Sequence, residues 1–270
     1  MPSAIVYTLR PLVATEVPSS LGRATHAAVL RLIHAADPAI AARLHDDEGL
    51  KPLTVSNVGG LSQSRFSRAD PARTYTLRVT LLTPELETLA QAWTPEALAV
   101  LDLDGHGWRV EARATHAEEH PWAGSASYEQ LAAPLLERPA ELPTRWELLF
   151  AAPVTFRRRG VNMPLPMPEL VFGSLLEKWN AFAPLALPEE VRRYAEECLA
   201  ISRYELRTAA GPTSGGALQI GALGRCTYLS VNRDRYWQAC ITTLAHFAYY
   251  SGIGAGTARG FGQARLGDSR

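Results

Sequence analysis

The segment GIGAGTARGFG (Gly252–Gly262) decides how the C-terminal part of the chain folds, because it places five glycines within eleven residues. Glycine adopts positive φ and lets the backbone approach a ligand closely, so such a loop is typical either of phosphate binding or of a tight connection. A dinucleotide-binding loop follows a strand and opens a helix, whereas this segment follows a helical pattern and precedes a strand pattern. The Lys that a Walker A loop requires is absent here. We therefore expect its amides, with Arg259, to hold a phosphate chain.

Upstream of the loop, the hydrophobic pattern repeats one order of elements twice. In the first half, strand patterns lie at Ala4–Leu12, Leu53–Val58, Tyr75–Leu82 and Trp108–Thr115, and helical patterns at Arg23–Ala36, Pro38–Leu44 and Thr83–Trp93. In the second half, strand patterns lie at Trp146–Phe156, Ser202–Ala209, Leu218–Val231 and Gly262–Leu266, and helical patterns at Glu169–Phe182, Glu189–Ala200 and Arg235–Tyr250. The order β-α-β-β-α-β is that of a ferredoxin-like domain.

Length and composition agree with two such domains. A chain of 270 residues with 47% hydrophobic residues can bury two cores of roughly 130 residues each. The segment Arg138–Pro143 is rich in proline and is typical of a boundary. We expect an α+β protein with domains at 1–137 and 138–270. No apolar run reaches the ~18 residues of a membrane span, and the N-terminal residues do not resemble a secretion signal, so we expect a cytoplasmic protein without a membrane partner.

The charge is neutral overall but unevenly distributed. The chain carries 27 Lys+Arg and 27 Asp+Glu; residues 1–135 hold 11 and 15 of them (−4), and residues 136–270 hold 16 and 12 (+4). Neutrality by itself disfavours a nucleic-acid partner, but a positive C-terminal half can still bind an anion locally. The three cysteines form no CxxC pair, so neither a disulfide framework nor a zinc site is expected.

Three blocks of sequence resemble one known family. The glycine-rich loop resembles the C-terminal signature of the repeat-associated mystery proteins of CRISPR systems. The segments Leu149–Arg159 and Pro168–Asn180 resemble the central block of the CRISPR-associated endoribonucleases that process precursor crRNA, and residues 44–56 resemble that family's block between the first helix and the second strand. The resemblance implies two tandem ferredoxin-like (RRM-like) domains.

The resemblance also implies an activity. The family cleaves CRISPR repeat RNA without a metal ion, by attack of a 2′-OH that leaves a 2′,3′-cyclic phosphate. Such a reaction needs a base, an acid and a cation for the phosphorane charge. On the family pattern we expect His26 and His45 to be the base and the acid, in either order, with Lys51 or Arg23 stabilising charge. No cofactor or metal is expected. Without the resemblance, surface histidines would be the preferred interpretation.

The implied partner is CRISPR repeat RNA, with further effector-complex subunits or a second copy of the chain as additional candidates. We expect arginine side chains to contact the RNA phosphates and glycines to let the backbone approach the RNA closely. The candidate RNA-binding residues are Arg23, Arg157, Arg158, Arg159, Arg225, Gly254, Gly256, Thr257, Arg259, Gly260 and Gly262.

One other interpretation of the whole protein stays open at this point. A non-catalytic crRNA-binding subunit would share the glycine-rich loop but would not need the cluster of His26, His45 and Lys51. The pentad His116–His120 formally fits a zinc-protease pattern, yet it follows a strand and runs into Pro121, which prevents the helix that this chemistry requires. We expect the pentad to be a solvated loop.

Overall fold

A computed structural model describes residues 1–46, 49–62, 64–137, 139, 141–158, 160–212 and 218–267. The described chain divides into two compact units. The first comprises Met1–Ser125 together with Ala258–Gly260, and the second comprises Ala126–Thr257 and Phe261–Arg270. The three residues at the centre of the glycine-rich loop thus belong to the first unit, while the residues on either side of them belong to the second.

The first unit is a β-α-β-β-α-β fold with added strands. Its antiparallel sheet has the order β3-β5-β1-β7-β6, with β8 also paired to β1, and β2 pairs separately with β4. The elements are β1 (Ser3–Pro11), β2 (Thr15–Pro18), α1 (Gly22–Ala36), α2 (Pro38–Asp46), β3 (Leu53–Val55), β4 (Phe66–Ala69), β5 (Tyr75–Leu81), α3 (Pro84–Ala90), α4 (Pro95–Leu98), β6 (Val100–Leu103), β7 (His106–Ala114) and β8 (Gly124–Ser125).

The helical hairpin α1–α2 arises from local sequence signals. In α1, the buried Ala28, Val29 and Ile33 recur at helical spacing and face the core. The helix ends at Asp37, whose Oδ1 accepts hydrogen bonds from the amides of residues 39 (2.8 Å) and 40 (3.1 Å) and so caps the start of α2. Pro38 at the first position of α2 has the φ that a helix start needs. The predicted break before Pro38 is confirmed.

The second unit has the same order of elements. Its four-stranded antiparallel sheet runs β12-β13-β9-β14, and β10 pairs with β11 as a separate hairpin. The elements are α5 (Tyr128–Leu131), α6 (Ala133–Leu136), β9 (Arg145–Val154), β10 (Phe156–Arg158), β11 (Val161–Met163), α7 (Pro168–Phe182), α8 (Glu190–Cys198), β12 (Leu199–Pro212), β13 (Leu218–Ser230), α9 (Arg235–Ser251), a 3-10 turn (Thr257–Arg259) and β14 (Ala264–Leu266). The expected pair of ferredoxin-like folds is confirmed.

The core of the second unit explains why residues 126–137 belong to it. Trp179 of α7 is fully buried and packs edge-on against Phe247 of α9, with ring centroids 5.2 Å apart, and against Tyr128 of α5, at 5.5 Å. The indole Nε1 of Trp179 donates to the Leu185 carbonyl at 2.6 Å. Because Tyr128 completes this aromatic cluster, α5 packs with the helices that follow it, ahead of the proline-rich segment where the sequence suggests a boundary.

The strand expected over Trp146–Phe156 is interrupted. β9 ends at Val154, and Thr155 separates it from β10. The carbonyl of Thr155 leaves the ladder and accepts a hydrogen bond from the amide of Ala255, at 2.8 Å. Alternation of apolar residues is the same on both sides of Thr155, so the sequence pattern carries no sign of this break. In the part of the chain that the structure describes, no helix is long and apolar enough to span a bilayer.

We expect Trp179→Ala to lower the free energy of unfolding by about 3–5 kcal/mol, because it leaves a cavity and removes two aromatic contacts. Tyr204→Ala is the control: Tyr204 is 68% exposed, and its removal is expected to change stability by less than about 0.5 kcal/mol. Urea unfolding at neutral pH measures both values. Equal effects of the two substitutions would contradict the aromatic core described here.

Candidate active site

The part of the glycine-rich loop that lies in the second unit uses most of its amides internally. The amide of Ile253 donates to the Gly262 carbonyl (2.8 Å), and that of Gly262 donates to the Pro153 carbonyl (2.9 Å). The amide of Gly254 donates to the Ser174 hydroxyl at 3.2 Å. Because these donors already have partners, they are not available for a phosphate chain in this conformation. The structure therefore gives the glycines a second role, that of close backbone packing.

Gly254 illustrates the packing constraint. Its φ is +74°, and a Cβ at this position would lie 2.3 Å from the carbonyl oxygen of Thr155. Gly262 has the same φ, and a Cβ there would lie 2.3 Å from the carbonyl oxygen of Ile253. A side chain at either position would meet rigid backbone, so only glycine is compatible with this path of the chain.

The centre of the loop, Ala258–Gly260, packs within the first unit at the start of α1. The amide of Gly260 donates to the carbonyl of Val55, the last residue of β3, at 2.9 Å. A Cβ on Gly22, the first residue of α1, would lie 2.3 Å from the Arg259 carbonyl oxygen. Ala258 is buried among the core side chains of this unit. The backbone of Arg259 is thus fixed beside the N-terminus of α1.

His26 lies one turn into α1, next to this segment. Its ring is partly buried, and its Nδ1 is enclosed without a hydrogen-bond partner among the residues that the structure describes. Burial, followed by the charges of Arg259 and Lys51, lowers the pKa of His26 from 6.5 to about 4. At neutral pH the imidazole is therefore uncharged and lies close to two cations.

Lys51 precedes β3 and follows α2. Its Nζ donates to the carbonyl of Leu44, in the last turn of α2, at 2.5 Å, where a positive charge is favoured by the helix dipole. His45 is the next residue of α2 after Leu44; its side chain lies outside the part that the structure describes. The structure therefore brings together His26, Lys51 and Arg259, and it places the backbone of His45 beside the lysine's acceptor.

Of the remaining candidates, Arg23 lies on the same helix as His26. Arg23 is exposed on the first turn of α1, and Arg157 is exposed on β10. The side chain of Arg158 and the whole of Arg159 lie outside the described residues. Arg225 on β13 forms an ion pair with Glu147 on β9, with Nη1 and Oε1 2.5 Å apart. Gly256 and Thr257 are half-buried in the loop, with Thr257 at the start of the 3-10 turn.

The sequence pattern does not single out Asn57, which organises this region. Its Oδ1 accepts from the amide of Leu21 at 2.6 Å, and its Nδ2 donates to the Ser19 carbonyl at 2.7 Å. The backbone of Asn57 also packs against Gly260: a Cβ at Gly260 would lie 3.2 Å from the backbone nitrogen of Asn57. Asn57 thus ties the segment before α1 to the residues after β3. A lone asparagine after a strand offers no signal from which this role could be predicted.

The pentad His116–His120 is a loop, as expected. The carboxylate of Glu119 accepts from the amides of Thr115 (2.7 Å) and His116 (3.1 Å), which turns the chain back on itself. Within the described residues, no group of three or more His, Cys, Asp or Glu side chains could hold a metal ion.

Two family models match the chain. The model described as the CRISPR Cas6 N-terminal domain matches residues 1–133, and the model described as CRISPR-associated endoribonuclease Cas6 matches residues 148–264. The chain belongs to the Cas6 family. No curated protein sequence matches it.

Solved Cas6 structures have the same fold over nearly the whole length of this Cas6 chain. A product complex of Cas6 (TTHA0078) is 29% identical, with a TM-score of 0.78, and covers 99% of each chain. A product complex of Cas6 (TTHB231), a Thermus thermophilus protein, is 26% identical, with a TM-score of 0.81, and covers 98% of this chain and 100% of the other. A Cas6-related protein from Pyrococcus furiosus, at 13% identity and a TM-score of 0.65, shares the fold.

The lowered pKa of His26 makes the stability of this Cas6 protein depend on pH. An unfolded chain takes up a proton at this residue near pH 6.5, whereas the folded chain does so near pH 4. His26 therefore favours unfolding increasingly as the pH falls from 6.5 to 4, and this contribution levels off below that range. We expect His26→Gln to lose less stability than the wild type over this window.

Urea unfolding at pH 7, 5.5 and 4.5 (roughly spanning the window between the two pKa values) measures the effect. The control is His34→Gln, on the same helix but exposed, which is expected to keep the pH dependence of the wild type. Parallel curves for His26→Gln and the wild type would contradict the buried, neutral state of His26.

Proposed function

We propose that this protein is a metal-independent endoribonuclease that cleaves CRISPR repeat RNA within precursor crRNA. The 2′-OH at the cleavage site attacks the adjacent phosphate, and the products carry a 2′,3′-cyclic phosphate and a 5′-OH. Membership of the Cas6 family supports RNA cleavage and crRNA processing. The observation that carries the mechanism is the group formed by a neutral His26 and the two cations, Arg259 and Lys51.

This group supplies functions that the reaction requires. A neutral imidazole can accept the proton of the 2′-OH, because its lone pair is available at neutral pH. Arg259 and Lys51 then face the negative charge that develops on the phosphorane oxygens. We therefore assign the general base to His26 and charge stabilisation to Arg259 and Lys51.

The free protein holds His26 at a pKa too low for an efficient base. The two cations that lower the pKa are also the natural partners of a phosphate group. When an RNA phosphate binds between them, its negative charge offsets theirs, and the pKa of His26 rises toward neutrality. Substrate binding would thus bring the imidazole closer to the working pH, where general-base catalysis is most effective.

His45 is proposed as the general acid. The bond from phosphorus to the 5′-oxygen breaks as the new bond to the 2′-oxygen forms, and His45 donates a proton to the leaving oxygen. His26 keeps the proton of the 2′-OH, so the two residues exchange protonation states and return through solvent. The backbone of His45 at the end of α2, next to the Leu44 carbonyl that Lys51 contacts, is consistent with this role.

Repeat RNA is proposed to contact the candidate arginines and the glycine-rich loop. The solved structures of Cas6 proteins similar to this chain include two product complexes and a substrate mimic complex. Most described loop amides have partners inside the protein, so we place the phosphate contact at the Arg259 side chain. Repeat RNA could also reach Arg157, which is exposed.

Replacement of either histidine tests the catalytic assignment. We expect His26→Ala and His45→Ala each to slow single-turnover cleavage of a repeat RNA in EDTA by about 10²–10⁴-fold, the usual cost of losing an acid or base. His116→Ala, in the exposed loop, is the control and should cleave at the wild-type rate. End-group mapping should find a 2′,3′-cyclic phosphate on the upstream product.

Three outcomes would contradict the proposal. Unchanged rates in both histidine variants would remove the catalytic assignment. Cleavage that needs a divalent ion would remove the metal-independent mechanism. Binding without cleavage by the wild type, under all conditions, would instead favour a non-catalytic crRNA-binding subunit.

The salt dependence of RNA binding tests the arginine contacts. We expect Arg157→Ala to reduce the slope of log affinity against log salt by about 1, as for the loss of one phosphate contact. Arg225→Ala should have a smaller effect, because Glu147 already neutralises that guanidinium. Arg43→Ala is the matched control, since Arg43 is an exposed arginine paired with Glu85 outside the candidate set. Identical slopes for the Arg157 and Arg43 variants would contradict the contact.

A further inference from the structure

Lys178 is a lysine in an apolar environment. It lies in the third turn of α7, its side chain is 5% exposed, and the neighbouring Leu175 and Trp179 are fully buried. A buried ammonium is costly unless hydrogen bonds replace its water shell. Some specific contact must therefore offset the cost of placing this charge in the core.

Within the described residues, the hydrogen bonds of the Lys178 ammonium are all with the glycine-rich loop and the end of α9. Its Nζ donates to the carbonyls of Ser251 (3.1 Å), Gly252 (3.0 Å) and Gly254 (3.3 Å). The hydroxyl of Thr257 lies 3.5 Å away. An ammonium has three protons to donate, so the three carbonyls can satisfy it completely.

The geometry of the loop and of the end of α9 directs these three carbonyls toward the ammonium of Lys178. Ser251 is the last residue of α9, where unpaired carbonyls favour a positive charge. Gly252 and Gly254 both have positive φ, and their carbonyls converge with that of Ser251 on the ammonium. Burial lowers the pKa of Lys178 to about 7, while the charge of Glu177 raises it.

The part of the loop held by Lys178 leads directly to the proposed catalytic group. Thr257 is bonded to Ala258, and Arg259 follows, so two peptide bonds separate a residue beside the ammonium from the arginine beside His26. Within the second unit, Lys178 fixes the start of the loop. Within the first unit, the backbone around Gly260 is fixed by Val55. Arg259 lies between these two fixed points of the chain.

We propose that Lys178 is a positioning residue: its ammonium fixes the carbonyls of the glycine-rich loop so that Arg259 is held beside His26. Lys178 does not touch substrate. It acts through the path of the backbone from Gly254 to Arg259. The consequence for cleavage rests on the proposed function, but the positioning of Arg259 can be measured without any RNA.

The first test is the titration of the His26 imidazole by NMR, with the resonance assigned by its loss in His26→Gln. Arg259 lowers the pKa of His26, so its displacement must raise that pKa. We expect Lys178→Met, which keeps an apolar side chain of similar length, to shift the titration upward, in the same direction as Arg259→Met. In the Arg259→Met background, Lys178→Met should cause no further shift.

Thr242→Val, on α9, is the control, because it also removes a buried hydrogen-bonding group. The Thr242 hydroxyl accepts from the Trp146 indole at 3.0 Å, away from the loop, and its removal should lower stability without moving the His26 titration. If Lys178→Met does not fold, Lys178→Gln retains an amide donor and should give a smaller shift of the same sign. A folded Lys178 variant in which His26 titrates as in the wild type would overturn the proposal, as would a shift that persists without Arg259.

The second test is single-turnover cleavage of repeat RNA. We expect Lys178→Met to reduce the rate by at least about tenfold, the scale expected for misplacement of a catalytic group. The reduction should vanish in the Arg259→Met background. An equal reduction in both backgrounds would indicate a general structural effect and overturn the proposal. A wild type that does not cleave RNA would refute the proposed function, while the His26 titration would still decide the role of Lys178.

Discussion

The close approach of backbone to backbone along the glycine-rich loop is the constraint on which the rest of this structure depends. At Gly254 and Gly262 a single carbon atom would collide with a carbonyl oxygen, and the same holds for Gly22, where α1 begins. Side chains can move aside, but main-chain carbonyls held in a hydrogen-bond network cannot. The loop therefore has one available path, and that path carries Arg259 into the first compact unit.

This placement has electrostatic consequences. Arg259 and Lys51 both lie close enough to His26 to lower the pKa of its partly buried ring. Two cations beside a neutral imidazole make the electrostatic potential at this point positive, although the net charge of the protein is zero. In the proposed mechanism, a phosphate bound between the two cations supplies negative charge and raises the pKa of the imidazole. Binding of the RNA phosphate and activation of the base are then, in that proposed mechanism, a single event.

The internal hydrogen bonds of the loop change how a glycine-rich signature should be interpreted here. In phosphate-binding loops the glycines free their amides for the ligand. In this protein, described amides such as those of Gly254 and Gly262 donate to the protein instead, and carbonyls of the loop converge on Lys178. The glycines thus allow loop carbonyls to surround the ammonium of Lys178, a role different from the binding of a phosphate by loop amides.

The linear sequence determined the architecture. Alternation and helical periodicity are local properties, and they predicted the two β-α-β-β-α-β units, the break at Pro38 and the long helix before the loop, because each of these depends on neighbouring residues. The short pairs β2–β4 and β10–β11 and the interruption at Thr155 were not predictable, since they depend on partners far along the chain. His26 and Lys51 were candidates only through resemblance to a family.

Tertiary structure alone decided which candidates meet. The proximity of Arg259 to His26 joins residues more than two hundred positions apart, and the pairing of Arg225 with Glu147 removes one predicted cation from the unpaired set. The roles of Asn57 and Lys178 depend on backbone atoms, which have the same chemistry in every residue. The directions of the backbone carbonyls cannot be read from the sequence. Only the folded chain therefore shows which carbonyls accept hydrogen bonds from the buried ammonium of Lys178.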